Sequence, residues 1–136
     1  MTVAVAGCWE LGYSAPLTER DLWLYPLRDF QVDRWIMAPV SGIRDQLLEE
    51  VDRLTDTDFG LPRVFVDETG AVELQDFEHP DEAVYIFGKA GFSPHPSMAH
   101  NGDHTVRIVT PERRGMLWPH QAAAVVLYDR QVKSWR

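Results

Sequence analysis

The sequence predicts a single α/β domain over residues 1–136, built on a mostly parallel sheet flanked by helices. Three observations carry that prediction. Short apolar runs alternate along the chain with segments of helical period, the order that parallel βαβ units require. The strongest run, Ala83-Val84-Tyr85-Ile86-Phe87, has no polar alternation, as expected of a strand covered on both faces. The length of 136 residues, with 45% hydrophobic and 25% charged side chains, suits one packed core rather than two.

The elements follow in order. Val3 to Ala6 is a short apolar run closed by Gly7 and reads as a buried first strand. Gly12 to Pro16 breaks the chain. A helix then opens at Leu17, with Thr18 as N-cap and Asp21 three residues later in the place of a capping-box acid. Leu24, Leu27 and Tyr25 supply its apolar face, and Pro26 either kinks it or divides it in two. Trp35-Ile36-Met37 is a second strand, closed by Pro39 and Gly42. Ile43, Leu47, Val51 and Leu54 recur on one face of a helix, with Asp45, Glu49, Asp52 and Arg53 on the other. Val64-Phe65-Val66 is a third strand, and Asp67-Glu68-Thr69-Gly70 is its turn. After the run at 83–87, Thr105 to Val109 is another strand. A final helix covers about Leu117 to Val132, around Ala122-Ala123-Ala124-Val125-Val126-Leu127-Tyr128.

Charge restricts the partners. The chain carries 13 basic and 21 acidic side chains, a net charge of −8. The excess lies wholly in residues 1–85, which hold six basic against eighteen acidic groups and repel a phosphate backbone. Residues 86–136 reverse the sign, with Lys89, Arg107, Arg113, Arg114, Arg130, Lys133 and Arg136 against three acids. Cys8 is the one cysteine, so an internal disulfide and a cysteine-rich zinc site are excluded. The segment MTVAVAGCWELGYSAP lacks a basic start, meets Glu10 early, and does not read as a signal peptide. No apolar stretch reaches the ~18 residues of a membrane span. The expected location is cytoplasmic.

Common catalytic signatures are missing. The chain has no G-x-S-x-G elbow, no Walker loop, no G-x-G-x-x-G and no Cys-x-x-Cys. His95, His100 and His104 cluster in a Pro- and Gly-rich stretch, but their spacing matches no zinc motif, and solvated loop histidines are expected. More informative are the segments after the last two strands, because open α/β sheets gather ligands at the carboxyl ends of their strands. Phe87-Gly88-Lys89-Ala90-Gly91 follows the strongest strand, and its glycines let backbone approach a flat ligand closely. Ile108-Val109-Thr110-Pro111 leaves the next strand, and Met116-Leu117-Trp118 precedes the last helix.

The succession Ala83-Val84-Tyr85-Ile86-Phe87-Gly88, then Val106-Arg107-Ile108, then Leu117 ahead of the alanine-rich helix ending in Tyr128 resembles the SPOUT methyltransferases, the SpoU/TrmH-like branch in particular. The resemblance extends over nearly the whole chain, with most of its weight in the C-terminal half. It implies a deep trefoil knot there, an obligate homodimer, and S-adenosylmethionine bound in a bent form within the knot loops. It also implies an activity, the 2′-O-methylation of ribose in tRNA or rRNA. By position it makes Gly88, Ile108 and Leu117 the cofactor-loop residues. No metal is implied.

The family's polar positions differ here. The asparagine and arginine of the first helix fall on Glu19 and Tyr25, the glutamate after the glycine falls on Ala90, and the serine-leucine-asparagine triplet reads Met116-Leu117-Trp118. Tyr25 donates a hydrogen bond but lacks the charged fork of arginine. No catalytic residue is therefore assigned. Two functions stay open: an RNA methyltransferase with a rebuilt site, and a catalytically divergent or inactive homodimer of the same fold acting as a binding or structural protein. The last helix is the expected dimer contact, through Ala122, Ala123, Ala124, Val125, Val126 and Tyr128. RNA, if a partner, is expected on the C-terminal basic side, at Arg113 and Arg114 with Arg107, Lys133 and Arg136.

Overall fold

A computed structural model describes residues 2–8, 16–38, 60–88, 103–112 and 117–136. In chain order these form β1 (Val3–Cys8), α1 (Pro16–Asp29), β2 (Arg34–Ala38), β3 (Arg63–Val66), β4 (Val72–Glu73), a 3-10 turn (Leu74–Asp76), β5 (Ala83–Phe87), β6 (His104–Arg107) and α2 (Pro119–Ser134). The six strands make one sheet in the order β2-β1-β5-β3-β6-β4, and every neighbouring pair is parallel. β5 lies between β1 and β3, with Val5 and Val64 both opposite Tyr85.

The unalternating run at 83–87 is buried at all five positions. Val5, Val64, Ala83, Tyr85, Phe87 and Val106 point to one face, where Trp23 and Leu27 of α1 and Ala123, Val126 and Leu127 of α2 close over them. Ala4, Ala6, Phe65, Val84 and Ile86 point to the other face and are also buried. Two-sided burial is why these strands read as continuous hydrophobic runs.

Several boundaries differ from the sequence reading. α1 starts at Pro16, two residues before Thr18, because a proline at the first helical position has φ preset and no amide to satisfy. Pro26 does not divide α1; its carbonyl accepts the Phe30 amide at 3.0 Å, so the ladder resumes after the missing donor. The inward face of α1 is Trp23 and Leu27, with Phe30 packed beside them, whereas Tyr25 points away and is 62% exposed. The helix ends in a Schellman turn. Val32 donates to the Leu27 carbonyl at 2.8 Å and Gln31 to the Arg28 carbonyl at 3.0 Å, with Gln31 in the left-handed region at φ 54°. β6 begins at His104 and ends at Arg107, so Ile108 has already left the sheet. β4 was not legible: it has two residues, paired with Val106 and Arg107.

In α2, Ala123 and Val126 face the sheet instead of being available to a partner, and Ala122 packs on the core. The outward stripe is Trp118, Val125, Tyr128 and Trp135, spaced seven, three and seven apart along one side of the helix. The helix expected over Ile43–Leu54 and the side chain of Cys8 lie outside the described residues. So does the path of residues 89–102 and 113–116, on which the expected knot depends.

Candidate functional site

Because all six strands run the same way, their carboxyl ends form one crest. α2 runs back from it. His120 in its first turn stacks edge-on against Trp23 at 6.2 Å, and Trp23 in turn meets Phe87, the last residue of β5, at 6.3 Å. At the far end of α2, Arg130 instead reaches the carbonyls of Pro80 and Asp81, just before β5 begins.

All three sequence-predicted cofactor residues sit at the crest. Gly88 directly follows Phe87, Ile108 directly follows Arg107 and rests on the core, and Leu117 lies two residues before α2; each is half-buried. Their neighbours are joined by a chain of rings running Phe87, Trp23, His120, Trp118, the last pair 5.6 Å apart. α2 opens on Pro119, and its Gln121 side chain accepts the Trp118 amide at 3.0 Å, which fixes the approach of Leu117 to the helix. Trp118 is itself 38% exposed and forms an aromatic lip.

Asp67 was missed. It was read as the first residue of a turn, which it is: its carboxylate accepts the Thr69 amide at 3.0 Å and its carbonyl accepts the Gly70 amide. It also directly follows β3, and β3 lies between β5 and β6, so this buried carboxylate stands at the crest between Gly88 and Ile108. Its amide donates to the Val106 carbonyl at 2.9 Å. An acid directly after an apolar strand, Val64-Phe65-Val66-Asp67, was the available signal.

The basic groups divide differently from the expectation. Arg107 donates to the Gly70 carbonyl at 2.7 Å and to Glu73 at 3.3 Å, so it fastens β4 to β6. Lys133 donates to the carbonyls of Leu74 and Phe77 and pairs with Asp129 at 2.8 Å. Both tie side-chain charge to backbone carbonyls around the short β4 and the 3-10 turn. Arg113 and Arg114 lie outside the described residues, as do Ala90, Met116 and the Glu19 side chain. Of the clustered histidines, His104 opens β6 instead of lying in a loop, and its ring meets Phe77 at 5.5 Å. His95 and His100 are outside the described residues. Among the described residues no group of three His, Cys, Asp or Glu is placed to hold a metal ion, and no helix is long and apolar enough to cross a membrane.

No protein-family model and no curated protein matches the chain. Among solved structures it is similar to the SpoU methyltransferase AviRb from Streptomyces viridochromogenes, with a TM-score of 0.63 and 16% sequence identity. The match covers 99% of this chain and 61% of that one, so the chain spans about three-fifths of that protein's length. What the two share is the fold: a mixed α/β arrangement with a parallel sheet and flanking helices.

Proposed function

We propose that the protein is a SPOUT-like homodimer that binds S-adenosylmethionine at the crest, in the manner of an RNA 2′-O-ribose methyltransferase. The observation that carries this reading is the fold likeness to a SpoU methyltransferase across almost the whole chain. The crest supports it, because Gly88, Ile108 and Leu117 occupy the end of β5, the end of β6 and the start of α2. There, close backbone approach suits a flat adenine, the rings of Trp118 and His120 supply an apolar wall, and Asp67 supplies an acceptor for hydroxyl or amine hydrogens. A cytoplasmic location goes with this reading.

Calorimetric titration with S-adenosylmethionine and S-adenosylhomocysteine tests it. Micromolar binding is expected, equivalent to about 8 kcal/mol. In Gly88→Val, a branched side chain occupies the approach, and binding is expected to weaken about tenfold or more, a loss of about 1.4 kcal/mol, while circular dichroism stays that of the folded chain. Unchanged affinity in a folded Gly88→Val protein removes Gly88 from the site.

Val125 and Tyr128, 40% and 58% exposed on the outer stripe of α2, are the proposed centre of the dimer contact. Light scattering is expected to give about twice 15.6 kDa for the wild type. Val125→Glu/Tyr128→Glu is expected to return it to the monomer mass. A monomeric wild type at micromolar concentration refutes the contact.

A second reading has one observation in its favour. Arg107 and Lys133 are committed to backbone carbonyls, so two of the five basic groups expected to meet RNA are held inside the fold. With Tyr25 in the place of the family's arginine, this suits a dimer of the same fold without RNA methylation. Cofactor binding without transfer to structured RNA, with Arg113 and Arg114 as the remaining proposed contacts, selects this second reading.

A further inference from the structure

Among the described residues a densely bonded polar cluster lies at the opposite end of the sheet from the crest, and nothing in the cofactor reading uses it. His79 stands between Tyr85 of β5 and Asp129 of α2, with Nδ1 at 2.7 Å from the tyrosine hydroxyl and Nε2 at 2.7 Å from the carboxylate. Arg130 donates to the same hydroxyl at 3.0 Å. The hydrogens can be assigned from these contacts. The hydroxyl oxygen accepts from Arg130 and sends its own hydrogen to His79 Nδ1, so the imidazole carries its hydrogen on Nε2 and donates it to Asp129. A neutral His79 satisfies every member of the chain.

A protonated His79 does not. A second hydrogen, on Nδ1, would point at a hydroxyl whose own hydrogen then loses its acceptor inside a buried site, since Tyr85 is fully enclosed. The charges facing the ring also weigh against it. α2 presents Asp129 but also Arg130 and Lys133, and β5 presents only the neutral Tyr85. The ring's own segment carries Asp76, Glu78 and Asp81 along the groove, and His104 of β6 lies beyond the Phe77 ring. Burial is the largest influence, holding His79 below its ordinary 6.5, with Asp129 opposing and Lys133 and Arg130 reinforcing.

We propose that His79 is an acid-sensitive latch: its neutral ring fastens the segment before β5 to the C-terminal half of α2, and its protonation releases that segment. The molecule has both the fastening and somewhere for the ring to go. Besides His79, the latch includes Arg130 on the Pro80 and Asp81 carbonyls and Lys133 on those of Leu74 and Phe77. A groove of about 540 Å³ opens beside it, walled by Phe77, His79 and Asp81 on one side and Arg130, Lys133 and Ser134 on the other. A charged imidazole that leaves its place reaches water there.

The sign follows from linkage. The released ring takes up a proton near 6.5 and the latched ring only at lower pH, so the latched form loses ground as pH falls below 6.5 and levels off once the latched ring itself titrates. Within that window the open fraction grows about tenfold per pH unit.

Hydrogen exchange on the intact chain, corrected for intrinsic rates, tests this between about pH 7.5 and pH 5. Amides from Leu74 to Glu82 are expected to lose protection as pH falls, while those of β1 keep theirs. His79→Gln is expected to abolish the pH dependence, whether its segment is held or loose. Asp129→Asn removes the carboxylate that favours the charged ring in the latched form, so opening still sets in near 6.5 but levels off at a lower pH than in the wild type. The His79 resonance of the wild type, followed by NMR, is expected to titrate below 6.5, at the pH where the loss of protection levels off. Protection that stays constant from pH 6.5 down to the pH where His79 titrates, a wild-type pH dependence in His79→Gln, or a levelling-off at higher pH in Asp129→Asn each overturns the latch.

Discussion

Trp23→Ala is expected to destabilise the protein by about 3–5 kcal/mol, a third or more of what a domain of this size commonly has. Trp23 heads the largest fully buried side chains, and its ring lies edge-on to both Phe87 and His120. Truncation therefore opens a cavity where α1, β5 and α2 meet, and two of its walls are the ends of rigid elements that cannot collapse into it. A urea melt compared with wild type reads the loss, together with a fall in midpoint temperature of roughly 10–20 °C. Trp23→Phe separates packing from polarity. The indole nitrogen is buried and has no hydrogen-bond partner among the described residues, a defect of about 1–3 kcal/mol that phenylalanine removes. The phenylalanine variant is thus expected to recover most of the stability lost in the alanine variant. Equal losses in the two variants would show that the nitrogen is satisfied and that the indole shape itself is required.

Gly70→Ala is expected to cost about 3 kcal/mol, at the upper end of overpacking substitutions. A Cβ at this position would lie 2.7 Å from the Val106 nitrogen and oxygen and 2.4 Å from its carbonyl carbon. These are backbone atoms of β6, so no rotamer change relieves the contact. The turn must move off the strand, and with it go the Asp67 bond to the Val106 carbonyl and the Ala71 bond to the Thr105 hydroxyl. Gly60→Ala is the control. Gly60 has φ 71° and nothing near the added carbon, so its cost is backbone strain alone, about 1–2 kcal/mol. Denaturant melts showing Gly70→Ala no worse than Gly60→Ala would refute the close approach.

These positions show which parts of the structure the sequence could reveal. The central strands were legible because burial on both faces leaves no alternation, and Ala83–Phe87 says so in five letters. The crest was legible as a place, since Gly88, Ile108 and Leu117 follow or precede elements whose periods are plain. The inward face of α1 was obscured by Pro26, although Trp23, Leu27 and Phe30 recur at helical spacing. Asp67 hid in its own turn. Least visible were Arg107, Lys133 and Arg130, which look like surface charge in a linear chain. Each is fixed by carbonyls more than thirty positions away, and such partners exist only once the sheet order is known.

The strand order also has a consequence for how the chain assembles. Among the described strands, only β1 and β2 are sheet neighbours that are also consecutive in the chain; β3 has β5 on one side and β6 on the other, both made later, and Val3 waits for Ala83. A ribosome therefore releases β1, β2 and β3 before the strand that joins them exists. During that interval the apolar Val64 and Phe65 have no partner, and both flanks of β3 offer unpaired amides and carbonyls. Closure over such distances must spend chain entropy before contacts repay it, which places refolding in the milliseconds-to-seconds range, on the order of other topologies dominated by non-local pairing. Insertion of β5 between two waiting strands is the expected committing event. Truncation ahead of Ala83 is then expected to leave an aggregating fragment rather than a smaller folded domain.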